Sequence, residues 1–221
     1  MARELSHPFS LTTALYFAAQ VHMRRREEQS TYQQAEVALA LAREHGFAFR
    51  VAQATMLRGW TLVEQGQGEA GIEQIRQGQA ALRATGSERG GYFDLLAEAY
   101  GKAGQTEEGL RAVAEALAQG DNNGGGEVEL YRLRGELLLT CSAEHHMQAE
   151  SCFRQAIEVA RRQGAKSWEL RAAMSLSRLW QRQGKRQAAY QLLVEVYGGF
   201  TEGFDTVDLW EAKALLDKLG T

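Results

Sequence analysis

The chain has 221 residues, of which 44% are hydrophobic and 24% are charged, and its formal net charge at pH 7 is −3. This balance is ordinary for a globular protein, and it argues against a partner such as nucleic acid that is bound through overall positive charge. No apolar run approaches the roughly 20 residues that a membrane-spanning helix needs, so we expect no membrane partner. The first residues lack a signal-peptide pattern, and the two cysteines, Cys141 and Cys152, are too few for a disulfide framework. We therefore expect a cytoplasmic protein with reduced thiols.

A pattern of residue sizes recurs along the chain. The pattern begins with a bulky residue, and a second bulky residue follows three positions later. A small residue comes directly after the second bulky residue. A third bulky residue lies three positions after the small one. The clearest copy is Phe93-x2-Leu96-Ala97-x2-Tyr100. The small residue of this frame occurs at 18, 59, 97, 135 and 177. A spacing of about 40 residues is typical of solenoids built from helix pairs.

In chain order, the frame predicts helix pairs at about 9–46, 49–84, 91–119, 127–163 and 167–198. The glycine-rich run 120–126 is predicted to be a flexible loop between the third and fourth pairs. A last helix at about 205–220 carries its leucines on one face and would cover the final pair. We therefore predict an all-α, tetratricopeptide-like α-solenoid of about five helix-turn-helix pairs plus a C-terminal capping helix, forming a single domain over residues 1–221.

The glycines support this frame. Glycine inside a helix costs about 1 kcal/mol relative to alanine, but it lets two helix backbones approach closely where they cross. Five glycines are predicted to lie at such crossings: Gly59, Gly71, Gly78, Gly109 and Gly135. Three others are predicted to lie at left-handed positions in the turns within pairs: Gly66, Gly104 and Gly184.

Several segments resemble one group of large bacterial regulators. They are 40–47, 65–69, 96–105, 129–138 and, most distinctively, Phe200-Thr201-Glu202-Gly203-Phe204-Asp205-Thr206. The chain resembles the C-terminal tetratricopeptide-repeat region of regulators that join a cyclase-type catalytic domain to an AAA-type ATPase module. The resemblance implies a regulatory or scaffold module, and it leaves open whether the chain is a whole protein or part of a larger one.

The residues that could carry chemistry form no recognised catalytic or metal-binding pattern. The segment Gly101-Lys102-Ala103-Gly104 lacks the glycine spacing and the hydroxyl residue of a phosphate-binding loop. The spacing of the cysteines and nearby histidines matches no common zinc site; these residues are Cys141, His145, His146 and Cys152. We therefore predict that the chain is not an enzyme and needs neither a metal nor a cofactor.

The predicted binding surface is a concave groove lined by the first helix of each pair, as is usual for solenoids. Its predicted residues are Met56, Trp60, Glu64, Asp94, Glu98, Lys102, Glu129, Arg132, Glu136, Arg171, Met174, Arg178 and Arg182. The groove would change along its length from apolar to acidic to basic. Arginines suit carboxylate or phosphate groups, and an apolar end suits a hydrophobic peptide.

A second interpretation of the same charges needs no ligand. Arg132, Arg171 and Arg178 could pair with acidic residues of neighbouring repeats, and solvated ion pairs of this kind contribute little to stability. The acidic residues in question are Glu98, Glu129 and Glu136.

We predict a non-catalytic scaffold that binds a peptide or a partner protein in the groove. One alternative is a domain that senses a small molecule within a bacterial signalling ATPase or cyclase. Another is self-association into a homo-oligomer through the apolar end near Leu15, Met23 and Trp60.

Overall fold

The computed structural model describes residues 7–86, 93–119 and 126–221. In these ranges the chain forms eleven α-helices, one short 3-10 helix at Ala143–His145 and no strand. The helices are α1 (Pro8–Arg24), α2 (Glu28–Glu44), α3 (Ala48–Glu64), α4 (Gly68–Ala84), α5 (Phe93–Lys102), α6 (Thr106–Ala118), α7 (Gly126–Cys141), α8 (His146–Gln163), α9 (Lys166–Arg182), α10 (Arg186–Tyr197) and α11 (Val207–Gly220). The all-α prediction is confirmed.

The helix bounds follow the predicted pairs. Pairs 9–46 and 49–84 correspond to α1/α2 and α3/α4, and pairs 127–163 and 167–198 correspond to α7/α8 and α9/α10. Helices α5 and α6 lie within the predicted third pair, and α11 lies within the predicted capping helix. The predicted loop at 120–126 falls outside the described residues except for Gly126, which begins α7. The only proline in the sequence, Pro8, is the first residue of α1, where its missing N–H costs no helical hydrogen bond.

The chain divides into two compact units, with the boundary between Gln105 and Thr106. In unit one, which contains α1 to α5, each helix packs against the next along the chain, and the first helices α1, α3 and α5 are also neighbours. In unit two, which contains α6 to α11, the same order holds, and α7, α9 and α11 are neighbours. The single domain over residues 1–221 stays a prediction.

Four of the five predicted crossing glycines lie where another side chain or backbone would be too close for a Cβ atom. A Cβ on Gly59 would lie 2.8 Å from the carbonyl oxygen of Gly71, and one on Gly71 would lie 2.6 Å from the carbonyl oxygen of Gly59. A Cβ on Gly78 would lie 2.8 Å from the carbonyl oxygen of Ala52, and one on Gly135 would meet the ring of Phe153. The fifth, Gly109, is buried in α6. A close neighbouring backbone explains the glycine at 59, 71 and 78, and the Phe153 ring explains it at 135.

Helix α11 covers one side of unit two. It contacts α9 and α10, and the four leucines predicted to share one face are all buried: Leu209, Leu215, Leu216 and Leu219. They join a continuous apolar core with Phe153, Trp180 and Leu193. Burying a leucine side chain contributes roughly 1.5–3 kcal/mol, so this face holds α11 in place.

Three-residue turns join the helices of several pairs, and their middle residue has a left-handed backbone. Gly66 (φ 78°) and Gly184 (φ 77°) lie at this position, as the sequence predicted, but the turn of the first pair has Arg26 there, with φ 62°. A residue with a Cβ is strained in this conformation by about 1–2 kcal/mol. The first turn is therefore strained where the others are not.

We expect Arg26→Gly to raise the melting temperature by about 2–4 °C, a gain of about 1 kcal/mol in a chain of this size. Arg26→Ala removes the same side chain but keeps the strain, so it should give no such gain. Gly66→Ala should lower the melting temperature by a similar amount, because no other atom lies within 4 Å of its Cβ position and only the backbone is affected. Thermal unfolding followed by circular dichroism measures all three. A gain for Arg26→Ala equal to that for Arg26→Gly would show that the side chain, and not φ, is responsible.

Candidate functional site

The apolar part of the predicted groove is buried in unit one. Met56 and Trp60 of α3 are inaccessible, and so are Leu15 and Met23 of α1. The reason is that these positions pack on neighbouring helices. Met56 lies in one apolar cluster with Leu82 of α4, and Leu15 lies in another with Leu39 of α2. Trp60 donates a hydrogen bond to Glu98 of α5. The prediction that Met56 and Trp60 offer an apolar contact surface is wrong. The same burial removes the reason for expecting self-association through this end.

The charged residues predicted on α3 and α5 form a closed network within unit one. Lys102 pairs with Glu64 of α3 and, at 3.0 Å, with Glu98 of its own helix. Burial on its own would lower the pKa of Lys102, but the carboxylates of Glu98 and Glu64 raise it above its usual value. Trp60 Nε1 donates a hydrogen bond to Glu98 Oε2 at 3.3 Å. These contacts join α3 to α5, so we interpret the network as structural.

Asp94, predicted as an acidic groove residue, is also part of a structural contact. Its side chain is buried, and its Oδ2 accepts a hydrogen bond from Arg24 Nη1 at 2.7 Å. The contact ties the end of α1 to the start of α5. A buried carboxylate with a charged partner is not available to a ligand unless that partner is lost.

In unit two, the predicted residues of α7 form ion pairs with one another. The guanidinium of Arg132 binds both carboxylate oxygens of Glu129, at 2.9 Å from Nε and 2.5 Å from Nη2. Its Nη1 also lies 3.7 Å from Glu136 Oε1. The same oxygen of Glu136 accepts a hydrogen bond of 2.6 Å from Ser175 of α9. This bond joins α7 to α9. Of the three predicted residues on α7, Glu136 is the most accessible, with a side chain 42% exposed.

The arginines of α9 differ in how firmly they are held. Arg171 Nε donates to Asp208 Oδ2 of α11 at 2.7 Å, and both side chains are largely buried. Arg178 Nη2 contacts Glu211 Oε2 of α11 at 3.1 Å, and here the side chains are 41% and 36% exposed. Arg182 is exposed, and no carboxylate of the described residues pairs with it. The basic end of the predicted groove thus has one fixed, one exchangeable and one free arginine.

Met174, the remaining predicted residue on α9, is buried in the core of unit two. It lies on the side of α9 that packs on other helices and cannot contact a ligand. We call the accessible remainder the first-helix face of unit two. It comprises Glu136, Arg178 and Arg182, together with Glu211.

The second interpretation of the groove charges, in which the arginines pair with acidic residues of neighbouring repeats, is only partly correct. Arg132 does pair with Glu129 and Glu136, but within its own helix and not across repeats. Arg171 and Arg178 pair instead with Asp208 and Glu211 of α11. These two acidic residues were missed. Their separations of 37 and 33 residues from the arginines are close to the repeat spacing, which is the signal that could have found them.

No protein-family model and no curated protein matches the sequence. Solved structures do match. One, of PilF from Pseudomonas aeruginosa, aligns with a TM-score of 0.62 at 14% identity, covering 96% of this chain and 90% of that one. Another, of a kinesin light chain-type protein of Podosopora anserina with nearly identical TPR-like repeats, aligns with a TM-score of 0.57 at 18% identity, covering 87% and 95%. The fold is a TPR-like α-solenoid.

The TPR-like chain brings few reactive groups together. Cys141 is exposed and Cys152 is buried, and burial raises the pKa of the Cys152 thiol. Within 7–86, 93–119 and 126–221, no three His, Cys, Asp or Glu side chains are grouped so that they could hold a metal ion. In the same ranges, none of the helices is both long and apolar enough to cross a membrane. What the described residues do offer is a charged, accessible surface on the first helices of unit two.

Proposed function

We propose that the chain is a non-catalytic scaffold that binds a peptide or a partner protein through the first-helix face of unit two. Stacked helix pairs present extended surfaces that solenoid proteins use for binding, and the TPR-like fold supports the proposal for that reason. The face is the basic part of the concave groove predicted from the sequence. The resemblance to the C-terminal region of bacterial cyclase and ATPase regulators extends the proposal to a signalling role in the cytoplasm.

The observation that carries the proposal is the state of Arg178 and Arg182. They lie four residues apart on α9 and therefore on the same side of the helix. Arg182 has no carboxylate partner among the described residues, and Arg178 shares an exposed pair with Glu211. An exposed ion pair contributes no more than about 1 kcal/mol. A ligand carboxylate can therefore replace Glu211 at little cost and contact both arginines.

The chemistry of this face selects an acidic segment. Guanidinium groups bind carboxylates through two parallel hydrogen bonds, which gives both orientation and energy. The nearby carboxylates of Glu136 and Glu211 would repel a ligand whose negative charge is misplaced, so they add selectivity. We therefore propose a partner with an acidic side chain aligned to Arg178 and Arg182.

We expect Arg178→Glu/Arg182→Glu to reduce capture of the partner at least tenfold, because two attractive contacts become repulsive. The measurement is an affinity pull-down from lysate of the source cell, quantified by mass spectrometry against the wild-type chain. The matched control is Arg43→Glu/Arg162→Glu, which makes the same change in net charge at exposed positions on the second helices α2 and α8. It should capture as much partner as the wild type.

Comparing the two double variants shows whether binding depends on this particular surface or only on the net charge of the chain. Equal loss with both would show that only net charge matters, and no loss with the first would exclude this face as the binding site. Circular dichroism of both variants should match the wild type, because the affected side chains are accessible and lie outside the core.

A further inference from the structure

Arg50, in the first turn of α3, lies among four aromatic rings in unit one. Its guanidinium carbon is 5.5 Å from the ring centroid of Phe9, 5.3 Å from Tyr16, 5.9 Å from Phe17 and 5.4 Å from Phe49. Each distance is within the range of a cation–π interaction. Helices α1 and α3 thus hold a guanidinium in an aromatic setting.

Arg50 has no carboxylate partner in the described part of the chain. Among residues 7–86, 93–119 and 126–221, its one hydrogen bond is from Nη1 to Gln53 Oε1, at 2.6 Å, and its Nε is buried with no acceptor there. Burial lowers the pKa of Arg50, and no carboxylate counteracts this effect. The hydroxyl of Tyr16 beside it is likewise buried with no partner. A partly desolvated cation without a counter-ion is unfavourable, and none of the described residues supplies one, so this position is suited to bind an anion.

Other partly buried arginines of the chain are satisfied differently. Arg24, Arg132 and Arg171 each bind a carboxylate of Asp94, Glu129 and Asp208, respectively. These carboxylates are supplied by the fold itself. Arg50 differs from these three arginines, and cation–π contacts of about 0.5–1 kcal/mol each replace only part of a counter-ion.

The surface beside Arg50 is unusually apolar for an exposed helix. Phe9 is 46% exposed, Phe17 is 53% exposed and Val21 is 58% exposed, all on one broad side of α1. From Phe9 to Val21 the helix rises about 18 Å. This length exceeds a small metabolite and fits several residues of a peptide.

We infer that Arg50 and the exposed side of α1 form a binding site for a peptide that carries a carboxylate side chain flanked by apolar residues. The carboxylate binds the guanidinium of Arg50, and the apolar side chains lie on Phe9, Phe17 and Val21. A singly charged carboxylate suits this half-buried, aromatic position better than a doubly charged phosphate, which loses more hydration on binding. The inference rests on the proposed function, that the chain binds peptides, but it uses none of the residues of the first-helix face of unit two.

The test begins with selection of a displayed library of random twelve-residue peptides on the full wild-type chain. We expect enriched peptides that share Asp or Glu next to Leu, Phe or Trp. Their affinities are then measured by fluorescence polarisation. Replacing the acidic residue by its amide should weaken binding to the wild type at least tenfold, as should Arg50→Met in the protein. The two changes together should lose little more than either alone, because they remove the same contact.

Three variants separate a lost contact from a loss of folding. Arg50→Met keeps an unbranched side chain among the rings, so its melting temperature should stay within a few degrees of the wild type. Phe17→Ser removes an exposed ring without touching the core and should weaken the same peptides about fivefold. Arg50→Lys should be intermediate, because it retains the charge and loses the two-pronged geometry.

The outcomes distinguish this inference from the proposed function. Enriched peptides that bind Arg50→Met as tightly as the wild type would overturn the inference, and if their binding requires Arg178 and Arg182, the proposed function stands. Peptides that depend on Arg50 but not on Arg178 and Arg182 would support the inference and move the binding site to unit one. If no peptide is enriched on the wild-type chain, both are overturned.

Discussion

Replacing Phe153 by alanine is expected to lower the free energy of unfolding by about 4 kcal/mol, the usual loss for a fully buried phenylalanine. Its ring is completely inaccessible in α8 and belongs to the continuous core of unit two. The change leaves a cavity next to Gly135 of α7, where the ring now fills the space of a missing side chain. Urea unfolding followed by circular dichroism at 222 nm measures the loss.

Gly135→Ala provides a matched test of this contact. In the wild-type background its Cβ would overlap the Phe153 ring, and we expect a loss of about 2 kcal/mol from overpacking. In the Phe153→Ala background the methyl group enters the cavity, and alanine is the better helix former by about 1 kcal/mol, so the same change should stabilise. Strictly additive losses would contradict the packing of Phe153 on Gly135.

The helix pairs could be predicted from sequence because stacking requires a small residue where two helices cross. Gly59, Ala97, Gly135 and Ser177 recur at the repeat spacing, and all four are buried in first helices. Ala18, the small residue of the first copy, is only half-buried.

The accessibility of the first-helix positions could not be predicted in the same way. Met56, Trp60 and Met174 occupy frame positions that we assigned to the groove, yet each is buried. Met56 packs on Leu82 of the second helix α4, and Met174 belongs to the continuous core of unit two. Whether such a position stays accessible depends on how closely the neighbouring helices pack. That depends on the side chains of both helices, so it is not encoded in the frame of either one.

The ion-pair partners were missed for a related reason. The leucine pattern of 205–220 predicts a cap, but it does not indicate which acidic residues of that helix face α9. In the structure α11 is a neighbour of α9, and Asp208 and Glu211 bind Arg171 and Arg178. The capping helix α11 lies where the first helix of a sixth pair would lie. Its acidic residues therefore face the arginines of α9, the first helix of the fifth pair.

The setting of Arg50 has no signal in the sequence pattern. The four rings around it come from α1 and α3, and Arg50 precedes the repeat frame of its own helix. Only the packing of α1 on α3 brings these residues together. Sites that depend on two helices at once are the ones a repeat frame fails to predict.

Gly59→Ala is expected to destabilise the chain by roughly 3 kcal/mol, although alanine is the better helix former. The added Cβ would lie 2.8 Å from the carbonyl oxygen of Gly71 and 2.8 Å from Cγ1 of Ile75. A flexible side chain could rotate away from such a contact, but a backbone carbonyl cannot. Helices α3 and α4 must therefore separate, which loosens the buried side chains between them. Urea unfolding of the purified variant measures the effect.

Gly220→Ala is the matched control, because its Cβ would meet the Tyr190 ring at 3.4 Å, an ordinary contact. We expect this change to alter stability by no more than about 0.5 kcal/mol. Gly71→Ala meets the same backbone contact from the other side, so it should be about as harmful as Gly59→Ala, and the two together should lose less than the sum, since the helices need to separate only once. A loss for Gly59→Ala as small as that for Gly220→Ala would contradict backbone contact between α3 and α4.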